Sequence, residues 1–174
     1  MKKIVSYMMT GILLLSFLLT GCGSPEPQTG KKMSMYYINT AETKVEVHEQ
    51  YLNTKTLDEQ LDETMRYLST TPEKLEYKAP LDMGFRVLDY EVEDGKLLIN
   101  VDKAYSELSP TTEVLVRAAI VRTLTQLPNV KYVGITVEDS QLYDNAGEMV
   151  GWMNADQFIN NDGNEINTYE LVKV

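Results

Sequence analysis

The chain has 174 residues but a single cysteine, Cys22, and a single histidine, His48. One cysteine excludes an intrachain disulfide framework and a metal site built from several thiolates. One histidine excludes any triad that needs a second imidazole. His48 lies on the polar side of a predicted strand, alternating with Val47, and the sequence offers it no catalytic or metal-binding partners. We therefore interpret it as an exposed surface residue.

Long hydrophobic runs are also scarce, and the one that stands out lies at the N-terminus. Lys2 and Lys3 precede an apolar stretch from Ile4 to Leu19, which is short for a membrane-spanning helix and typical of a signal peptide. The stretch runs into Leu19-Thr20-Gly21-Cys22, which is a branched apolar residue, two small residues and a cysteine. This segment resembles, position by position, the lipobox of bacterial lipoproteins.

The lipobox predicts that residues 1–21 are removed as a signal peptide and that lipid is attached to Cys22. We therefore expect the mature protein to be held by lipid at the extracytoplasmic face of the cell membrane. A plain N-terminal anchor with an incidental cysteine is the alternative. The short apolar run and the small residues before the cysteine favour cleavage.

Basic residues are few, with 16 Lys and Arg against 26 Asp and Glu, for a formal net charge of −10. Removal of residues 1–21 takes away two lysines and no acid, so the charge of the mature chain becomes −12. An acidic surface repels nucleic acid and anionic headgroups. We therefore expect no nucleic-acid partner, and we expect lipid on Cys22 to make the membrane contact.

The composition beyond Cys22 predicts a tether followed by one domain. Residues 22–34 contain two prolines and little apolar content, which is typical of a flexible linker, and they reach only about 40 Å when extended. Residues 35–160 have the length of one ordinary domain, and residues 161–174 form a C-terminal tail.

The first half of the domain predicts two strands and a helix. Residues 35–39 are β-prone, and residues 44–51 alternate with period two, which places Val45, Val47 and Tyr51 on the apolar side. Thr56-Leu57-Asp58-Glu59 is a capping box, so a helix begins there and ends before Pro72. The predicted apolar face holds Leu57, Leu61, Met65 and Leu68, and the predicted solvated side holds Asp58, Glu59, Asp62, Glu63 and Arg66.

Asp94-Gly95 stands between two alternating runs and predicts a two-residue type I′ hairpin. This turn sets the register of the two strands, and the apolar residues then share one face. The predicted pairs are Val92 with Leu97, Tyr90 with Ile99, and Leu88 with Val101.

A second helix is predicted from the cap Ser109-Pro110 to Leu127, and a strand follows with Val133, Ile135 and Val137 on one side. Beyond Ser140, the glycines and asparagines predict a short hairpin or a winding cover. The order of strand pair, helix, hairpin, helix and strand predicts an α+β fold, a two-layer sandwich in which one sheet carries both helices on one face.

The sequence offers little for catalysis. The acidic pairs Asp58-Glu59 and Asp62-Glu63, and the run from Glu91 to Asp94, fall where solvated faces are expected, so we interpret them as surface charge rather than as a glycosidase pair. The loop 160–165 does not match the glycine and glutamate positions of an EF-hand. We therefore predict no catalytic residues, no cofactor and no metal, and we interpret Trp152 and the tyrosines as packing residues, although Trp152 is also a candidate partner-binding residue.

Residues 35–160 resemble the GerMN domain, a module of sporulation and spore-germination proteins in Firmicutes. The most specific likeness is the passage from the second helix through Leu-Thr-x-Leu-Pro-x-Val into the next strand. The stretches that carry the resemblance are Tyr36-Tyr37-Ile38, the amphipathic first helix, the hairpin 92–102, the segment 121–131 and Leu142-Tyr143-Asp144-Asn145-Ala146-Gly147.

The resemblance implies a fold similar to ring-building domains and a non-enzymatic interaction or assembly module in the cell envelope, with sporulation or germination as the process in which it is expected to act. It names no cofactor and no catalytic residue, and it leaves the partner open between another envelope protein and a second copy of this chain. An envelope hydrolase using acidic residues is the alternative. We further expect the tail, with Tyr169 to Val174, to pack on its own domain or to mediate self-association when displaced.

Overall fold

The computed structural model describes residues 30–72, 76–144 and 146–158. The predicted signal peptide and lipobox, including Cys22, lie outside the described residues, as do the loop 160–165 and the tail 161–174. Among the described residues, no helix is both long and apolar enough to cross a membrane.

The described part of the chain is an α+β fold with two helices, as the sequence predicted, and with two sheets. The elements in chain order are β1 (Lys31–Asn39), β2 (Val45–Leu52), α1 (Leu57–Leu68), β3 (Tyr77–Lys78), β4 (Val87–Glu93), β5 (Lys96–Val101), a 3-10 helix (Lys103–Glu107), α2 (Pro110–Leu124), β6 (Tyr132–Val137), β7 (Ser140–Gln141) and a second 3-10 helix (Ala155–Gln157).

The first strand begins earlier than predicted. Residues 31–34, which we had assigned to the tether, pair with residues 49–52 of β2 in an antiparallel ladder. Met33 is buried in the core, and this burial, together with the backbone hydrogen bonds of the ladder, extends the strand into a polar segment.

The described strands form two sheets, so the prediction of a single sheet was wrong. One sheet has the order β2-β1-β3, and the other has the order β4-β5-β6-β7. The edge of β1 facing away from β2 pairs with β3 only at Ile38 and Asn39. Farther along that edge, Thr123 and Gln126 of the α2 region bond the backbone of Tyr36 and Ser34. Because helix side chains take these positions, no further strand can pair there.

Both helices and both sheets contribute to one hydrophobic core. The two helix starts were predicted correctly: Thr56 and Glu59 form the capping box of α1, and Ser109 caps α2 with Pro110 in its first turn. The helix α2 connects β5 to β6, which pair in parallel, and Ala119, Ile120 and Val121 lie buried in succession on it. The parallel pair requires such a crossover connection.

The Asp94-Gly95 hairpin was also predicted correctly, except at its far end. Both turn residues have positive φ, 50° and 81°, as a type I′ turn requires. Val92 pairs with Leu97 and Tyr90 with Ile99, but the register shifts between Val87 and Asp89, so that Val87 rather than Leu88 lies opposite Val101. Leu88 is the extra residue of this bulge and is 48% exposed.

The predicted orientation of β2 was wrong. Val47 is 54% exposed and His48 is half-buried, which reverses the expected assignment of those two side chains. Both faces of β2 carry apolar as well as polar side chains. The period-two pattern alone therefore does not decide which face of the strand is buried. Pairing with β1 decided it, since His48 lies opposite the buried Met35.

Candidate functional site

Two surface features are candidates for a binding site. One is a groove of about 500 Å³ at the C-terminal end of α2, and the other is the outer face of the sheet β4-β5-β6-β7. The groove is lined by Tyr36, Arg122, Thr125, Gln126, Ala155, Asp156 and Phe158.

The groove is built on the contact between β1 and α2. The guanidinium of Arg122 stacks over the Tyr36 ring, 4.2 Å from its centroid, and donates to the Tyr36 hydroxyl at 3.3 Å. Gln126 donates from Nε2 to the carbonyl of Ser34 at 2.7 Å and accepts the Ser34 N–H on Oε1 at 3.1 Å. Of the residues lining this groove, Asp156 alone has a carboxylate, so the groove does not bring a pair of acids together.

Glu63 is the acidic residue whose position departs most from expectation. It is only 6% exposed, although we had placed it on the solvated side of α1. Its Oε2 accepts from the Thr54 hydroxyl at 2.7 Å and from the N–H groups of Asn53 and Thr54. Burial opposes ionisation, but these bonds outweigh it, and the pKa of Glu63 is lowered. The carboxylate therefore holds the loop between β2 and α1.

Three other carboxyl groups also have a lowered pKa. Bonds from the Lys78 ammonium and the Thr112 hydroxyl lower the pKa of Glu42. The Thr56 cap lowers the pKa of Glu59. The Arg86 side chain and backbone lower the pKa of Asp102. Each of these carboxylates is ionised and used as an acceptor within the fold, whereas a general acid needs a raised pKa.

A buried polar cluster lies between α2 and the first 3-10 helix. Glu113 is 8% exposed; its Oε2 accepts from Arg117 Nη2 at 2.9 Å, and its Oε1 accepts from the Tyr105 hydroxyl at 3.0 Å. Burial raises the pKa of Tyr105 well above its ordinary value, so the phenol remains a donor. Arg117 Nε also lies 2.6 Å from Glu113 Oε1 but makes no hydrogen bond there, so the two buried charges are paired mainly through Nη2, as in a structural ion pair.

The outer face of the second sheet carries two exposed aromatic side chains, Trp152 and Tyr132. Trp152 is 43% exposed and lies over Gly134, and Tyr132 is 41% exposed. We had interpreted both as packing residues. Their exposure depends on which side of the sheet the core covers, which the local sequence does not specify.

The structure does not describe the residues predicted for lipid attachment, which are Leu19, Thr20, Gly21 and Cys22. Within the described ranges, no group of three or more His, Cys, Asp or Glu side chains is arranged to hold a metal ion. Sequence reasoning missed the backbone-binding role of Gln126, although it lies in the segment that we considered most specific for the GerMN resemblance.

These features define a small α+β domain with a groove at the end of α2 and exposed aromatic side chains on one sheet. The sequence profile of the Germane family, described as "Sporulation and spore germination", matches residues 34–143. The chain therefore belongs to the Germane family.

Solved structures show the same fold. The chain is similar to the tandem GerMN domains of the sporulation protein GerM from Bacillus subtilis, with 18% identity and a TM-score of 0.50 over 76% of this chain and 48% of that one. It therefore spans about half of that tandem structure. It is also similar to the first GerMN domain of the same protein, with 15% identity and a TM-score of 0.52 over 68% of this chain and 91% of that one.

A Clostridium perfringens structure described as a lipoprotein candidate matches with 17% identity and a TM-score of 0.49, over 73% of this chain and 89% of that one. No curated protein sequence matches this chain significantly.

Proposed function

We propose that this protein is a lipid-anchored, non-enzymatic interaction and assembly module of the bacterial cell envelope, acting in sporulation or spore germination. The observation that carries the proposal is the position of the Germane-family region, residues 34–143, shortly after the lipobox Leu19-Thr20-Gly21-Cys22. A lipid on Cys22 would hold this domain within reach of partners at the membrane surface.

The non-enzymatic part of the proposal is supported by the state of the acidic residues. The hydrolase alternative requires a carboxyl group with a raised pKa facing a cleft. Among the described residues, the carboxyl groups with a clear shift all have a lowered pKa, and each accepts hydrogen bonds that hold the fold: Glu42, Glu59, Glu63 and Asp102. Incubation with purified cell-wall glycan should therefore release no soluble sugar, and release of soluble sugar by the purified chain would favour the hydrolase.

The anchor is tested by fractionation and by mass spectrometry of the mature N-terminus. The wild-type chain, expressed in a host that processes lipoproteins, is expected in the membrane fraction with a lipid-modified Cys22 as its first residue. Cys22→Ala is expected to accumulate as uncleaved precursor or to leave the membrane fraction, whereas Ser24→Ala, outside the lipobox, should behave as wild type. An unmodified Cys22 in the mature wild-type chain would refute the anchor.

The assembly role is tested by crosslinking in sporulating and vegetative cells. A specific partner, or a second copy of the chain, is expected among the crosslinked products. For the tail, deletion of residues 164–174 should lower stability or change the mass measured by sedimentation. If neither changes, the tail has no part in packing or self-association.

A further inference from the structure

Near the Asp94-Gly95 turn, the outer face of the sheet β4-β5-β6-β7 carries exposed aromatic side chains at one side and exposed acidic side chains at the other, whereas Asn100 and Thr136 farther along the same face are buried. Neighbouring strands place Glu91, Leu98 and Gly134 in one row and Glu93, Lys96 and Tyr132 in the next. Residues directly across a ladder point to the same face. On the opposite parity, Leu97, Ile99 and Val101 of β5 and Val133 and Ile135 of β6 are buried in the core.

Gly134 lets Trp152 lie directly against the backbone of this face. A Cβ built on Gly134 would stand 2.8 Å from Cζ3 of the indole, closer than side chains approach one another. Glycine weakens a strand and often marks a position where another group packs closely. The Met153 backbone, bonded to Val133 in both directions at 2.8 Å, holds the neighbouring Trp152 in place. The indole is therefore positioned by the fold and yet remains 43% exposed.

The charged side chains of this face include a lysine at the indole and two glutamates on β4. The Lys96 ammonium lies 5.3 Å from the centroid of the Trp152 ring, so the ring already attracts a cation of the chain itself. Glu91 and Glu93 are exposed, and no ion pair joins either of them to another residue in the described part of the chain. They stand two strands away from Gly134 and Tyr132, at about 10 Å, which a single partner surface can span.

The geometry points to this face, centred on Trp152 and Tyr132 and bordered by Glu91 and Glu93, as the docking surface for an arginine-rich segment of a partner protein. Guanidinium groups both stack on aromatic rings and pair with carboxylates, which matches the two sides of this face. Trp and Tyr are also the residue types that dominate binding energy at protein interfaces. This inference rests on the proposed interaction function and adds the chemistry of the partner.

The probes are oligo-arginine, oligo-lysine and oligo-glutamate peptides of equal length, titrated into the purified full chain. Trp152 is the single tryptophan of the chain, so its fluorescence reports on this face alone. Oligo-arginine is expected to change the emission and to bind several-fold more tightly than oligo-lysine, whereas oligo-glutamate should not bind. Equal binding of the two basic peptides would show diffuse charge attraction and overturn the proposal.

Calorimetric titration of variants with oligo-arginine shows where the peptide binds. Trp152→Leu should weaken oligo-arginine binding about tenfold. Glu91→Gln with Glu93→Gln should weaken it about fivefold, whereas the charge-matched control Asp58→Asn with Glu107→Gln, on exposed sites elsewhere, should weaken it less. If the control pair weakens binding as much as the Glu91 and Glu93 pair, the face is not the site.

Lys96 provides a test with the opposite sign. Lys96→Gln removes the internal cation from the Trp152 ring, so this variant should bind oligo-arginine more tightly than the wild-type chain does. It should also bind more tightly than the control Lys55→Gln, which has the same net charge. An equal effect of the two lysine variants would contradict competition at the ring. The same titrations can be made in solution with Cys22→Ala, which lacks the lipid attachment site. Loss of peptide binding and loss of the lipid anchor are therefore separate outcomes.

Discussion

Gln126 bonds the backbone of Ser34, 92 positions earlier, in the way that a neighbouring strand would. Its amide accepts the Ser34 N–H at 3.1 Å and donates to the Ser34 carbonyl at 2.7 Å. Thr123 extends the same pattern by accepting the Tyr36 N–H at 3.0 Å. The side chains at the end of α2 thus satisfy an edge of β1 that would otherwise be open to pairing with another chain.

Gln126→Ala should therefore destabilise the domain by about 1 kcal/mol, because the Ser34 groups lose both partners at a partly solvated site. Urea unfolding measures the loss, and amide hydrogen exchange should show faster exchange at Ser34. Gln141→Ala, at an exposed strand position, is the control. Equal stability of the two variants, with unchanged exchange at Ser34, would argue against this role of Gln126.

Glu63 should make the stability depend on pH. Its pKa is lower in the folded protein than its ordinary value of 4.5, so its contribution is complete above that value and is lost as the pH falls through the folded pKa. Glu63→Gln should cost about 2 kcal/mol at neutral pH, because the loop loses a charged acceptor. The difference from wild type should shrink as the pH falls below 4.5 and through the lowered pKa of Glu63. A pH-independent Glu63→Gln effect would contradict the assignment.

The buried pair Glu113 and Arg117 should show strong coupling. Arg117→Met leaves the Glu113 carboxylate buried with the Tyr105 hydroxyl but without its cation, which should cost about 3 kcal/mol or more. The double variant Glu113→Leu with Arg117→Met should recover most of that loss, because no unpaired charge remains. Chemical unfolding of Arg117→Met, of Glu113→Leu and of the double variant gives the coupling free energy. Additive effects would show that the pair is not coupled.

Gly134→Ala should displace Trp152. The added methyl would meet the indole at 2.8 Å and Leu98 at 3.2 Å, so the ring must move outward, and its emission should shift to longer wavelength as water reaches it. Gly84→Ala serves as a control because no atom lies within 4 Å of its added Cβ, although its positive φ of 94° makes the substitution costly to stability. Its Trp152 emission in the folded state should remain that of wild type. Unchanged emission in Gly134→Ala would mean that the ring does not rest on Gly134.

Several elements were predictable because their determinants are close in sequence. The capping box needs only Thr56 and Glu59, and the type I′ turn needs only Asp94 and Gly95, whose positive φ values the structure shows. The family resemblance was likewise readable from local segments. The bulge at Leu88 was not, because alternation continues through it and only pairing with Val101 reveals the extra residue.

The sequence by itself determined the helix starts and the tight hairpin, since each depends on residues that are neighbours in the chain, and its composition gave the acidic charge. The lipobox at Cys22 stays a prediction from the sequence. The tertiary structure decided the division into two sheets, the burial of Glu63 and the exposure of Trp152. Those outcomes depend on which face or edge of an element is covered by another part of the chain, as Gln126 covers β1. A short-range pattern limits the available faces, but only packing between distant segments selects among them.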